Sequence, residues 1–179
     1  MIMTDDQDRL LGSTDYQKSL HREFFDKGVE LVNHFVTVAQ CCPSRTVFLH
    51  GQHAHNTNVT HVVAPGGNYQ KFWVSGESND YLALWMQKTG YNTNYLGKFL
   101  NGYNTLLFPN APPGFDHAEL LVDPYTYSFG NVVLSKNGEQ PMHYPGYHQT
   151  DVLRIKAIHW LNELLDNERG RGQFEVYDN

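Results

Sequence analysis

Three short segments carry residues whose types and spacing could do chemistry. Asp5-Asp6 pairs two carboxylates, hard oxygen donors of the kind that hold calcium or magnesium. A solvated turn is the bland alternative, because aspartate favours turn backbones. Cys41 stands two residues before Pro43 and four before Arg45. If Pro43 opens a helix, as proline does at a first helical position, the cysteine lies at the positive end of the helix dipole and Arg45 lies one turn further on. A buried cysteine with a solvent-facing arginine is the competing arrangement. Gly97-Lys98 ends a segment, Tyr91 to Leu96, that reads as a strand, and offers a cation where that strand would end.

These residues need elements to position them. Ile2-Met3-Thr4 reads as the end of a strand. Ser13 or Thr14 caps a helix with Tyr16, Leu20 and Phe24 at helical spacing, closed by Lys27-Gly28. Alternation from Val29 to Val38 predicts a second strand leading into the Cys41 loop, and Pro43 to Gly51 frames a short helix. Residues 52 to 79, polar and rich in glycine, asparagine and histidine, are expected to be a long surface excursion. A helix is expected from Asp80 to Gly90, then a strand from Tyr91 to Leu96. Six of the eight prolines fall in residues 101 to 149, which predicts loop with short strands. A helix capped by Thr150 follows, with Val152, Leu153, Ile155, Ile158, Leu161, Leu164 and Leu165. Alternating strands and helices predict an α/β fold with a mainly parallel sheet and flanking helices, and ligands collect beyond strand ends in such sheets.

Composition bounds the function. The 179 residues suit one domain, and a formal net charge of −6 with no Lys/Arg run argues against nucleic-acid binding. No stretch approaches the ~18 apolar residues of a membrane span. The opening Met1-Ile2-Met3-Thr4-Asp5-Asp6 has no apolar core of a signal peptide, so none is expected from this chain. Cys41 and Cys42 are neighbours and form no disulfide framework. Asn58-Val59-Thr60 fits the N-glycosylation sequon, a hint of the secretory route. A phosphatase-type Cys-x5-Arg loop is excluded, since the spacing is Cys-x3-Arg and no glycine run intervenes.

The full string Cys41-Cys42-Pro43-Ser44-Arg45, followed by Leu49-His50-Gly51, resembles the signature of formylglycine-dependent sulfatases, Cys-x-Pro-Ser-Arg with a later Leu-x-Gly. Met3-Thr4-Asp5-Asp6-Gln7-Asp8 is similar to the family's first metal motif. His55-Asn56-Thr57-Asn58-Val59, Gly90-Tyr91-Asn92-Thr93, Gly97-Lys98-Phe99-Leu100-Asn101, Asp123-Pro124-Tyr125-Thr126-Tyr127 and Thr150-Asp151-Val152-Leu153 resemble later blocks in the same order. The nearest subgroup is that of fungal arylsulfatases and N-acetylglucosamine-6-sulfatase-like enzymes. The resemblance covers residues 2 to 166, read as the N-terminal part of a catalytic domain (1–166); residues 167–179 read as a divergent polar tail.

The resemblance implies an incomplete alkaline-phosphatase-like sulfatase fold and a sulfuric ester hydrolase of arylsulfatase type. It implies that Cys41 is converted to formylglycine by a formylglycine-generating enzyme, and that the hydrated aldehyde attacks sulfur and later expels sulfate. Arg45 would stabilise the ionised hydrate, Lys98 would bind the substrate's sulfate, and Asp5, Asp6 and the modified Cys41 would be ligands of calcium. Partners implied are a small-molecule or glycan sulfate ester and the generating enzyme, with no nucleic acid and no membrane; location would be secretory, extracellular or lysosomal/vacuolar. Many members carry histidine where this chain has Leu100. His53, His55 and His61 either face the site or belong to a solvated loop. Further metal ligands and catalytic His and Lys residues of the family find no match here, so the chain alone is expected to turn over little substrate. Two alternatives stay open: a truncated, inactive remnant, and a phosphate or phosphonate ester hydrolase of the same superfamily.

Overall fold

The computed structural model describes residues 1–107 and 109–170, without side chains for 167–170. Among the described residues, six α-helices and four strands follow one another as α1 (Lys18–Leu20), α2 (Cys41–His50), α3 (Ala54–Thr57), α4 (Tyr69–Val74), α5 (Leu82–Lys88), β1 (Asn94–Gly97), β2 (His117–Leu121), β3 (Asn131–Lys136), β4 (Met142–Pro145) and α6 (Gln149–Gly170). The α/β class with flanking helices holds. The sheet, ordered β1-β2-β3-β4, is mixed: β1 pairs parallel with β2, in register Asn94 to His117, while β2–β3 and β3–β4 are antiparallel. The expected parallel weighting fails after β2, because the proline-rich region folds as short hairpin-linked strands rather than as helical crossovers.

The helix carrying Cys41 begins earlier than proline placement suggested. Gln40, in extended conformation, is the N-cap; Cys41 is the first helical residue and Pro43 the third. That costs nothing, since the first-turn amides have no intrahelical partner in any case. Gly51 ends α2 in the left-handed region at φ 64°, its N–H donating to the Val47 carbonyl at 2.8 Å, as expected of a glycine C-terminus. Thr46, Leu49 and Cys42 turn one face of α2 into the core.

The two expected N-terminal strands do not form. Residues 2–4 and 29–38 lie outside regular structure, and Ile2, Val29, Phe35 and Val36 are all more than 70% exposed. Period-two alternation can only become a strand when a neighbour pairs with its amides and carbonyls, and among the described residues none does. Ser13 to Phe25 is helical only in separate short turns, a 3-10 turn, α1 and a π-helical turn at His21–Phe25, with Tyr16 and Phe24 exposed.

Residues 52–79, expected to be surface excursion, are exposed over about half their length but also send three side chains into the core. Val59, Tyr69 and Phe72 are fully buried with Tyr81, Phe99, Tyr103 and Val122. Aromatic edges meet faces at most of these contacts: Tyr69 against Tyr103 at 4.9 Å, Phe72 against Tyr81 at 5.4 Å, Tyr95 against Phe99 at 5.2 Å. Tyr69 and Tyr81 hydroxyls donate to the carbonyls of Asn110 and Pro113, so burying the phenols leaves no polar atom stranded. Helix α6 lies across β1 and β3, with Val152 packed among Leu121, Val132 and Leu134 and its Lys156 ammonium 2.5 Å from Glu119. The helix runs into the expected tail, of which residues 171–179 lie outside the described residues.

Candidate active site

Only one of the three chemistry-bearing segments follows a strand. Lys98 comes directly after β1; Asp5 and Asp6 sit in an irregular segment, Asp6 at φ 50°; Cys41 opens α2. They nevertheless meet. One ligand atom from each of Asp5, Asp6 and Cys41 lies within 4.8 Å of the others. Arg45, one turn along α2, donates from Nη2 to Asp5 Oδ1 at 2.9 Å, and Lys98 Nζ donates to Asp5 Oδ2 at 2.9 Å.

The cations are held tightly from behind. Arg45 Nη1 donates to the Lys98 carbonyl at 2.5 Å, and the Tyr95 hydroxyl donates to that same carbonyl at 2.8 Å. The Arg45 and Lys98 side chains are each 9% exposed, whereas Asp5 is 41% exposed. So α2 and the β1 end are bolted together through the cations, and the carboxylate is their open side. Burial works against the Asp5 charge, yet hydrogen bonds from Lys98 and Arg45 outweigh it and hold the carboxyl below its usual range. Burial likewise disfavours the Lys98 ammonium, and its bond to Asp5 reverses the balance, raising its affinity for the proton.

The two cysteines differ sharply. Cys42 is fully buried and burial pushes its thiol up, whereas Cys41 is partly exposed and faces the carboxylates at the helix start. Leu100, the position at which the resemblance sets a histidine in many members, is 3% exposed in the core among aromatic rings, so that position points away from the site. His53 and His55 are exposed and stack on each other at 5.6 Å, and exposed His61 bonds Thr60. Sequence reasoning gave no role to Tyr95, whose hydroxyl bonds the Lys98 carbonyl, to Tyr127, whose ring faces the Lys98 ammonium, or to Asn101, which bonds Tyr127. Tyr95 lay in a run read only as strand, and nothing in its spacing marks a hydroxyl that reaches three residues ahead.

The donor set can be tested against a cation. Two carboxylates and a thiol mix hard and soft donors, and a thiol suits calcium poorly. Were residue 41 an aldehyde hydrate, its oxygens would make the set uniformly hard, and Asp5 would keep lone pairs beyond those given to Arg45 and Lys98. These residues therefore fit a hard divalent cation in the converted state.

The sulfatase family model matches residues 1–176. An arylsulfatase from Volvox carteri is 46% identical over 160 residues, covering 88% of this chain and 25% of that protein. Human N-acetylglucosamine-6-sulfatase is 31% identical over 172 residues, 90% of this chain and 30% of the relative. An extracellular sulfatase SULF-1 homolog from Drosophila melanogaster is 31% identical over 169 residues, 90% of this chain and 14% of the relative. The chain thus spans 30% or less of the length of these relatives. No solved structure gives a significant match.

Proposed function

This chain belongs to the sulfatase family, and on that premise we propose that it carries the nucleophile, two cations and part of the metal shell of a sulfuric ester hydrolase of arylsulfatase type. The observation that supports this reading is the meeting of Asp5, Asp6 and Cys41 donor atoms within 4.8 Å, with Arg45 and Lys98 both closing on Asp5. Cys41 is the residue converted by the formylglycine-generating enzyme, being the partly exposed one of the pair. Converted to an aldehyde hydrate, residue 41 would supply one hydroxyl that displaces the substrate's alcohol from sulfur and a second whose deprotonation would release sulfate and restore the aldehyde. Asp5, Asp6 and the converted residue would hold calcium, which when bound polarises sulfate oxygens.

The chain's own residues do the rest. Arg45, fixed by Asp5 and the Lys98 carbonyl, presents a guanidinium one turn from residue 41, where it stabilises an ionised hydroxyl. Lys98, 9% exposed, meets a sulfate oxygen as a point charge in surroundings that screen it poorly. Without a cation the two carboxylates balance the two basic side chains. A bound divalent ion makes the pocket electropositive despite the chain's net charge of −6, and anion capture then depends on this local field. The sequon at exposed Asn58 and the extracellular sulfatase among the relatives support a secretory or extracellular location. Among the described residues no helix is long and apolar enough to cross a membrane.

The test is hydrolysis of a chromogenic aryl sulfate by protein made with the generating enzyme and supplied with calcium, read as a small rate above a Cys41→Ala blank because the chain supplies only part of the metal shell; no rate above that blank counts against the reading. Turnover abolished by Cys41→Ala and by chelation supports the reading. Turnover that survives Cys41→Ala, or preference for the matching aryl phosphate, overturns it.

A further inference from the structure

Lys98 is held on two sides. One is Asp5; the other is the ring of Tyr127, whose centroid lies 5.1 Å from the Lys98 ammonium. Tyr127 is 52% exposed, so its ring forms an outer wall of the pocket rather than part of the core. Several contacts fix that wall. Asn101 Nδ2 donates to the Tyr127 hydroxyl at 2.6 Å, while Asn101 Oδ1 is buried without a hydrogen-bond partner among the described residues. The turn carrying the tyrosine (Tyr125–Tyr127) is tied to the Lys98 loop through Asp123, whose carboxylate accepts from the Gly102 N–H at 2.6 Å. It is tied to the start of α6 by Gln149 Nε2, which donates to the Thr126 carbonyl at 3.0 Å.

We propose that Tyr127, locked by Asn101, is a positioning residue that holds the Lys98 ammonium toward the sulfate-binding side of the pocket. This rests on the sulfatase reading above, in which Lys98 meets sulfate. The physical need is clear from the charges. Asp5 serves three cationic claimants, Arg45, Lys98 and any bound metal, so its hold on the lysine weakens whenever the metal draws on its oxygens. A four-carbon stem then has many rotamers available, and fixing it costs entropy unless a second restraint is in place. The electron-rich face of Tyr127 supplies that restraint without neutralising the charge, as a second carboxylate would.

The experiment measures inorganic sulfate affinity, by calorimetry and by competitive inhibition, on the intact protein carrying converted residue 41. Tyr127→Leu keeps bulk but removes the π face, and sulfate is expected to bind about 3- to 30-fold more weakly, the range of a partly desolvated cation–π contact. Tyr127→Phe keeps the face and is expected to stay within about threefold of the parent. Lys98→Ala with Tyr127→Leu is expected to bind sulfate no worse than Lys98→Ala alone, since a residue acting through Lys98 has nothing left to position. Asn101→Ala, which unlocks the ring without touching it, gives a second route should Tyr127→Leu fold poorly, and a smaller weakening is expected. Unchanged sulfate affinity in Tyr127→Leu, or a loss that adds in full to that of Lys98→Ala, overturns the proposal. Failure of the underlying reading looks different: Lys98→Ala itself would leave sulfate affinity unchanged.

Discussion

Replacing Arg45 by methionine removes the guanidinium and keeps most of its buried stem. Three contacts go: the ion pair with Asp5 at 2.9 Å, the bond to the Lys98 carbonyl at 2.5 Å, and the longer approach to the Tyr95 hydroxyl at 3.5 Å. Neither acceptor is orphaned, because Asp5 keeps Lys98 and the carbonyl keeps the Tyr95 hydroxyl. The full penalty for stranding a buried partner, roughly 3–5 kcal/mol, therefore does not apply. Asp5 is 41% exposed, so solvent screening cuts the ion pair to about 1 kcal/mol, and the carbonyl bond adds about 0.5–1.5 kcal/mol. The expected loss is about 1–3 kcal/mol, a fall in melting temperature of about 2–12 °C for a chain of this size. Thermal unfolding followed by circular dichroism, on unconverted protein so that chemistry plays no part, reads this out. Arg45→Met combined with Asp5→Asn should cost less than the sum of the two single changes, by about 1 kcal/mol. A melting temperature unchanged in Arg45→Met, or strict additivity in the double variant, would refute the claim that this pair bolts α2 to the end of β1.

Leu100→His, which writes the family's common histidine into this chain, should destabilise the protein by about 2–5 kcal/mol in urea unfolding without raising turnover, because position 100 is 3% exposed among aromatic rings. Asp116 accepts from the Thr93 N–H at 2.7 Å, and that bond lowers its carboxyl from an ordinary value near 3.8. A lowered folded value means stability that is present above pH about 4 and lost as pH falls through the folded value; Asp116→Asn should flatten that part of a pH–stability profile. Asn58, exposed at the end of α3, should carry glycan when the protein is made through the secretory route, seen as an endoglycosidase-sensitive mass that Asn58→Gln removes.

What could be read from the sequence followed how local each feature is. The glycine end of α2, the placement of α5 and α6, and the short strands after residue 101 depend on neighbours along the chain, and they stand close to where patterns put them. The strand expected over 29–38 depends on a partner strand, which no alternation pattern can supply. The excursion over 52–79 was misjudged because Val59, Tyr69 and Phe72 are isolated apolar residues in polar surroundings, too sparse for any period. Their burial is decided by β1 and the loop after it, far along the chain. For the site, the motif named Asp5, Asp6, Cys41, Arg45 and Lys98, and these five do lie together. The reason given for their meeting was wrong: a shared row of strand ends was expected, and the actual link is a pair of buried cations on one carboxylate. Tyr127 and Asn101 were illegible because their role depends on a loop-to-loop contact 26 residues apart.

Chemistry at this site requires that residue 41, and not residue 42, be the cysteine that is altered. Mass spectrometry of the peptide spanning Cys41 and Cys42, from protein made with the formylglycine-generating enzyme, tests this most directly. Exchange of a thiol for an aldehyde removes about 18 Da. The predicted result is that loss at residue 41, absent in Cys41→Ala and retained in Cys42→Ala. The loss found at residue 42, or an unaltered peptide under conditions that convert a relative's signature cysteine, would contradict it.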